Sequence, residues 1–213
     1  MILHGYWRST ASYRVRIALN LKGLSYEQVT HDLRRGAQRD PAFLKLNAQG
    51  LVPALAADDQ LITQSPAILE WLEERNPEPA LLPAGSSDRA VVRTMAAVVA
   101  CDIHPINNLR VLNALRSELG ADNAAITRWI ARWIAEGFEA LELMVLQSGR
   151  GFAFGDRPTL ADCYIVPQMY SAERFGVPTI AYPSLMAAVE RARALPAVAA
   201  AHPDLQPDAD LTI

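Results

Sequence analysis

Hydrophobic positions divide the chain into two differently patterned stretches. In the first, short apolar runs alternate with helical stripes. Ile2 and Leu3 open a short strand, and Val15, Ala18, Leu19 and Leu21 then recur at helical spacing as far as Gly23, a natural helix stop. Arg14 and Arg16 fall on the opposite face of that helix. Residues 25–29 (SYEQV) alternate weakly as a second strand, which completes a β-α-β unit with parallel strands. A polar stretch over 33–40 reads as a loop and 41–46 as a short helix. The apolar segment 51–55 is interrupted by Pro53, which cannot donate to a sheet ladder, so a strand start or turn with a cis bond is expected there. Asp58 and Asp59 supply a hairpin turn to Leu61 and Ile62. Ser65 is placed as an N-cap and Pro66 as the first residue of a helix continued by Ile68, Leu69, Trp71 and Leu72. The order that results is β-α-β-α-β-β-α.

After residue 76 the pattern changes. Three prolines and a glycine in 76–87 (NPEPALLPAGSS) mark a connection, and everything beyond it is helical. The expected organisation is an α/β domain over 1–78, a linker over 79–86 and an all-α domain over 87–213. Val92, Met95 and Val99 form one stripe that ends in a polar knot at Asp102, His104, Pro105, Asn107, Asn108 and Arg110. Ile126, Trp129, Ile130, Trp133, Ile134, Phe138, Leu141 and Val145 form a second, longer stripe that is read as core. Thr159 and Asp162 have the spacing of a capping box, with Asp162 where Glu or Gln is usual, and Pro167 should kink the helix that follows. Leu185, Ala188, Val189 and Ala192 mark one more helix, closed by Pro196, and the tail from His202 is read as irregular.

Composition narrows the function. A net charge of −3 gives no electrostatic case for nucleic acid or an anionic membrane surface, so an acidic ligand must be met by local arginines. The first residues lack the apolar core of a signal peptide, and no apolar run is long enough to cross a bilayer, which makes the cytoplasm the expected location. Cys101 and Cys163 have no metal or disulfide spacing and are expected to pack as small apolar groups. No metal site is expected. His4, His31 and His202 have no partner pattern and are taken as structural.

The chemistry concentrates at residues 7–21 (WRSTASYRVRIALNL), where a strand gives way to a helix and hydroxyls cluster. Backbone N–H groups at a helix start and the positive end of the dipole favour an anion there, and Ser9, Thr10 and Ser12 add hydroxyl donors. An ordinary N-cap is the alternative, with Ser12 satisfying the first turn. A second helix start at Gln64-Ser65-Pro66 is equally suited to a carboxylate.

The whole succession resembles a glutathione transferase: a thioredoxin-like βαβαββα domain, an X-Pro junction before its third strand, Gln-Ser before its last helix, and an all-helical domain with a capping box. RSTASYRVRIALNLKG is similar to the zeta-class signature R-S-S-C-x-x-R-V-R-I-A-L, and the likeness continues through LNAQGLVPAL, QSPAILEWLEE, CDIHPINNLRVL, GDRPTLADCYIVPQ, AERFGVP and a terminal QPD. Zeta-class enzymes are cis-trans isomerases of maleyl compounds. His104, Asn107, Asn108 and Arg110 in IHPINNLR, with Trp7 and Arg8, resemble the maleylpyruvate branch. Maleylacetoacetate isomerisation is the alternative, and displacement on α-halo acids a further one. One position departs from the pattern: the usual cysteine is Ala11, so any thiol chemistry must run on glutathione.

Isomerising a cis double bond between carbonyl-bearing carbons requires temporary loss of its double-bond character, which a thiolate supplies by adding and leaving. The resemblance implies glutathione as cofactor, a small dicarboxylate as substrate and a homodimer. It assigns the sulfur to the turn Ser9, Thr10, Ala11 and Ser12, with Ser9 the first donor, Thr10 the runner-up and Ser12 the cap. Val52, through the bend at Pro53, would pair with the cysteinyl backbone, Gln64 and Ser65 would take the γ-glutamyl carboxylate, and Gln38 would reach the glycyl end. His104, Asn108, Leu109 and Arg110 would add contacts from the helical domain, with His104 hydrogen bonding rather than transferring protons. Arg8, Arg110 and Arg174 are the candidates for the substrate carboxylates, because the planar guanidinium meets a carboxylate with two parallel hydrogen bonds.

Overall fold

The computed structural model describes residues 1–210, and its contacts divide the chain into two compact units. The first unit takes residues 1–81 together with the described residues from Ala194 onward, and the second takes residues 82–193.

The first unit is built on a four-stranded sheet in the order β2-β1-β3-β4. Strand β1 (Ile2–Gly5) pairs parallel with β2 (Glu27–Thr30) and antiparallel with β3 (Ala54–Ala57), which pairs antiparallel with β4 (Gln60–Thr63). The β3–β4 connection turns at Asp58 and Asp59 with φ of 48° and 60°. Two successive positive φ angles give the hairpin turn whose twist matches the strands. The Val52-Pro53 bond is cis, as expected from the sequence. The helices are α1 (Thr10–Leu21), α2 (Pro41–Leu46), α3 (Ser65–Arg75) and, from the far end of the chain, α9 (Pro196–Ala200). The loop over 33–40 carries two short 3-10 turns, Leu33–Arg35 and Ala37–Arg39.

Helix α1 packs against α3 and α9 and buries Val15, Ile17, Ala18 and Leu19, while α3 buries Ile68, Leu69 and Leu72. The sequence put Arg14 and Arg16 on the opposite face of α1; both are in fact buried, at 2% and 0% exposure. Their guanidinium groups find hydrogen-bond acceptors inside the unit, and such partners are what make a buried charge tolerable. Lys22 is likewise inside, 2.7 Å from Glu73 of α3, and donates to the carbonyls of Asn76 and Pro79. Glu73 also accepts the Leu81 N–H, so the start of the connection is held to α1 and α3.

The tail is less irregular than its composition implies. Pro196 opens α9 rather than merely closing the preceding helix, because its missing N–H is one a helix start does not need. A 3-10 turn follows at Pro203–Leu205, and the tail reading for residues 211–213 falls outside the described residues.

The second unit is helical: α4 (Ser86–Ala97), α5 (Leu109–Leu119), α6 (Asn123–Ser148), α7 (Leu160–Arg174) and α8 (Pro183–Arg193). Helix α4 packs on α7, and α8 packs on α6 and α7. The α6 core consists of Ile126, Ile130, Ile134, Phe138, Leu141 and Val145. Trp129 and Trp133, read from the sequence as core, are only half-buried; Trp129 donates its indole N–H to the Ile106 carbonyl at 3.0 Å. The capping box of α7 is present, and Pro167 lies within the helix, which continues to Arg174.

Helix α4 does not end as its stripe suggests. It continues into one turn of π-helix, Val98–Ile103, in which the His104 N–H reaches back to the Val99 carbonyl at 2.9 Å. Ile103 lies so close to Gly137 of α6 that a Cβ there would collide with its side chain. Cys101, on this turn, is exposed rather than packed as expected, while Cys163 in α7 is buried. Among the described residues no helix is long and apolar enough to cross a membrane.

Candidate functional site

The turn between β1 and α1 is set by a few short hydrogen bonds. The Ser9 N–H donates to the Tyr6 carbonyl at 3.1 Å, and the Ser9 carbonyl accepts the Tyr13 N–H at 2.9 Å. Ser9 Oγ accepts the Ser12 N–H at 3.2 Å. Ser9, not Ser12, is therefore the N-cap, and α1 begins at Thr10. The helix can start there because Ser9 is extended (φ −68°, ψ 117°) and its hydroxyl reaches the third N–H of the first turn. Ser12 is displaced from its sequence-assigned role as cap. It is fully buried, packed so tightly beneath β1 that a Cβ on Gly5 would come to 3.2 Å from its Oγ.

Ser9 and Thr10 are half-exposed, and Ala11 is buried behind them. Accepting from Ser12 leaves the Ser9 hydroxyl its own proton to donate, and the Ala11 N–H belongs to the first turn of α1, whose amides point out of the helix start. A hydroxyl and an amide at the positive end of a twelve-residue helix form a suitable place for a thiolate. Arg8 is half-exposed with its guanidinium carbon 5.1 Å from the centre of the Trp7 ring. That stacking limits the directions in which the guanidinium can point.

The second helix start also differs from its sequence reading. Gln64, not Ser65, is the N-cap of α3, and it has φ 67° and ψ 118°. A non-glycine residue in that region carries strain of order 1–3 kcal/mol and persists only where the surroundings over-determine it. Those surroundings are visible on both sides. Gln64 Nε2 donates to Gln49 Oε1 at 2.7 Å, and Ser65 Oγ accepts Arg14 Nη1 at 3.2 Å. Arg14 thus ties α1 to the start of α3, a contact the sequence did not signal. Gly50, with φ 60°, abuts the Gln38 carbonyl so closely that no Cβ would fit, and Gln38 Oε1 is buried without a partner among the described residues. A continuous path of contacts therefore joins Ser9 through α1 and Arg14 to Ser65 and Gln64, and through Gln49 and Gly50 to Gln38. The cis Val52-Pro53 bend begins two residues after Gly50.

In the second unit the polar knot follows the π-turn. The His104 carbonyl accepts the Asn107 N–H at 3.2 Å, and Asn108 caps α5, its Oδ1 accepting the Arg110 N–H at 3.1 Å. That cap occupies the Asn108 oxygen and leaves its amide N–H groups for a ligand. Leu109 and Arg110 are exposed on the first turn of α5. Asn107 has both side-chain polar atoms buried with no partner among the described residues, a feature that no residue pattern signals. Arg174 is exposed in the last turn of α7, 4.4 Å from the centre of the Phe175 ring, where a cation also suits the helix dipole.

Several titratable groups outside these turns are perturbed, among them two histidines and one buried carboxyl. His4 and His31, taken as structural, form a stacked pair with Nδ1 and Nε2 3.1 Å apart, and burial holds both imidazoles below their ordinary range. Burial pushes the Asp162 carboxyl up to about 6, opposed by hydrogen bonds from the Ala153 N–H, the Thr159 N–H and the Thr159 hydroxyl. No cluster of three or more His, Cys, Asp or Glu side chains suited to a metal ion occurs among the described residues.

Comparison with known proteins adds to this geometry. The family model for the glutathione S-transferase N-terminal domain matches residues 8–75. A maleylpyruvate isomerase from Ralstonia sp is 51% identical over 210 residues, 98% of this chain and 99% of that protein. A maleylacetoacetate isomerase from Pseudomonas aeruginosa is also 51% identical, over 98% of each chain. Among solved structures, the holo form of a maleylpyruvate isomerase described as a bacterial zeta-class glutathione S-transferase superposes with a TM-score of 0.97 at 50% identity, covering 99% of this chain and 100% of that one.

Proposed function

Because the chain belongs to the zeta-class glutathione transferase family, we propose that it is a glutathione-dependent cis-trans isomerase that converts maleylpyruvate to fumarylpyruvate. The observation that carries the reading is the Ser9 turn: Ser9 caps α1 by accepting from Ser12 and keeps its hydroxyl proton for an anionic sulfur. The first unit offers what glutathione requires. Its buried Gln38 oxygen lacks a partner among the described residues, the strained Gln64 cap is held from both sides, and Ser65 sits on Arg14.

Bound glutathione supplies a thiolate able to add reversibly to the substrate double bond. Ser9 donates to the sulfur and keeps it ionised, with the Ala11 N–H and the helix dipole assisting and Thr10 beside them. Val52 pairs with the cysteinyl backbone ahead of the cis proline, Gln64 and Ser65 take the γ-glutamyl carboxylate, and Gln38 reaches the glycyl end. His104, Asn108 and Leu109 lie in the segment assigned to further ligand contacts. Arg8, Arg110 and Arg174 are assigned to the substrate carboxylates and to the negative charge that develops beside the rotating bond. The buried, inert character of Ala11 removes any protein thiol from this turn.

Maleylacetoacetate is the runner-up substrate, supported by the equal identity to the Pseudomonas aeruginosa relative. Purified protein is to be mixed with maleylpyruvate and with maleylacetoacetate, with and without glutathione, and fumaryl product followed. Faster turnover of maleylpyruvate, dependent on glutathione, is expected. Turnover of neither substrate overturns the isomerase reading, and equal rates without glutathione overturn the mechanism. The reading extends to a cytoplasmic homodimer on the strength of the family resemblance, and light scattering after size exclusion checks the dimer.

A further inference from the structure

The Gln-Pro-Asp run at 206–208 belongs to the sequence pattern but has no part in the mechanism above. Gln206 is buried, and its amide donates to the Ala200 and His202 carbonyls at 3.1 and 2.7 Å while its oxygen accepts Gln28 Nε2 of β2 at 3.0 Å. Those bonds fix the tail against the sheet. Two residues on, Asp208 Oδ2 accepts the backbone N–H of Trp7 at 3.0 Å. The other side of Trp7 is held too: its carbonyl accepts Arg16 Nη2 at 2.8 Å, and Arg16 Nε donates to the Ala201 carbonyl at 3.1 Å. Both backbone groups of Trp7 are therefore fixed by charged side chains, one supplied by the tail and the other bonded to it. Ser9 lies two residues further along the same turn, with its own N–H bonded to the Tyr6 carbonyl.

We propose that Asp208 is a positioning residue for the isomerisation: by holding the Trp7 N–H it sets where the Ser9 hydroxyl meets the sulfur. Asp208 touches neither sulfur nor substrate and acts through the backbone. A carboxylate suits the task because a charge-assisted hydrogen bond is about twice as strong as a neutral one. Precision matters here, since a misplacement of about 1 Å can lower a rate by on the order of 100-fold. The proposal rests on the assignment of Ser9 to the sulfur.

The test compares Asp208→Ala, Asp208→Asn and Asp208→Glu with the parent protein. The ultraviolet absorbance of bound glutathione thiolate is titrated against pH, and kcat and KM for isomerisation are measured across the same range. Asp208→Ala is expected to raise the pKa of the bound thiol towards its free value of about 8.5, lowering kcat at pH 7 roughly tenfold per unit, with the deficit closing at high pH. The sign is diagnostic. The charged groups around the turn, Arg8, Arg16, Asp32 and Arg34, are unchanged in the variant, and loss of an anion alone would lower the thiol's pKa rather than raise it. Asp208→Asn keeps an acceptor oxygen and is expected to restore most of the activity. An unmoved or lowered thiol titration in Asp208→Ala, or an Asn variant as defective as the Ala variant, overturns the proposal. Should Asp208→Ala melt below the assay temperature, Asp208→Glu decides: it keeps the charge but lengthens the reach, and an unchanged thiol titration there overturns the proposal equally. If the parent protein turns over neither maleyl compound, the substrate reading fails while the thiol titration still decides the role of Asp208.

Discussion

Ser9 performs two tasks with one oxygen, and they can be separated. Its lone pair accepts the Ser12 N–H, and its proton is assigned to the sulfur. Ser9→Ala removes both. Loss of the cap costs about 1 kcal/mol, which for a chain of this size lowers Tm by roughly 2–4 °C. Loss of a charge-assisted hydrogen bond to the thiolate is worth about 1.5–3 kcal/mol, or about one to two pKa units. A thiol of pKa about 8.5 is roughly 3% ionised at pH 7, whereas one near 6.5 is about three-quarters ionised. Ser9→Ala should therefore lower kcat/KM on the order of 25-fold at pH 7, and the gap should close towards pH 9. Ser9→Asp separates the tasks. Aspartate is as good a cap as serine, so stability should stay near the parent value, yet its carboxylate repels a thiolate and activity at pH 7 should fall below that of Ser9→Ala. The assay pairs thermal melts with kcat/KM profiles from pH 6 to 9. A pH-independent loss in Ser9→Ala would show that Ser9 places glutathione without ionising it. An active Ser9→Asp would refute the argument altogether.

The remaining expectations concern stability and substrate. Asp162→Ala leaves the Ala153 and Thr159 N–H groups buried without their acceptor, at about 1–3 kcal/mol each, so a melt lowered by several degrees is expected; an unchanged melt would discount the capping box. His4 and His31 have folded pKa values below their ordinary one of about 6.5, so the unfolded chain binds more protons and stability should fall as pH drops through that range. Asp162, raised to about 6, opposes this, since it favours the folded state as pH falls from 6 towards 4. Melts of His31→Asn against the parent isolate the imidazole contribution: a shallower acid slope is expected, and parallel slopes would remove the pair from the account. Arg110→Ala should lower kcat/KM for the maleyl substrate without changing glutathione affinity by calorimetry, and unchanged kinetics would take Arg110 out of the site.

Much of the first unit was legible because its signals are local. The order of strands and helices, the cis proline and the turn at Asp58 and Asp59 each follow from a residue type and its immediate neighbours. The helix starts were located to within a few residues, but their caps were misassigned. Ser9 and Ser12 are both acceptable cap residues, and only the depth of Ser12 beneath β1 decides between them. The same limit explains Arg14 and Arg16. Amphipathic reasoning assigns arginine to solvent, whereas here acceptors from α3, from Trp7 and from Ala201, far apart in the chain, make burial tolerable. Nothing in the alternation of residues marks the π-turn at Val98–Ile103 either, because it reflects a change in hydrogen-bond partner rather than a change in hydropathy. The resemblance to zeta-class enzymes named the site positions, but the contact path from Arg14 through Gln64 to Gln38 emerges only in three dimensions.

The tail has one more consequence, for the order in which the protein can be made. A ribosome releases the strands of the first unit early, but Arg16, Asn20 and Gln28 must wait for Ala201, Ala197 and Gln206 before their hydrogen bonds can form. During synthesis of the intervening helices, a partly assembled sheet is therefore held without its last helix, with a guanidinium still in need of a carbonyl. Completion of the first unit thus waits for synthesis of the whole second unit, whose residues separate its two stretches in the chain.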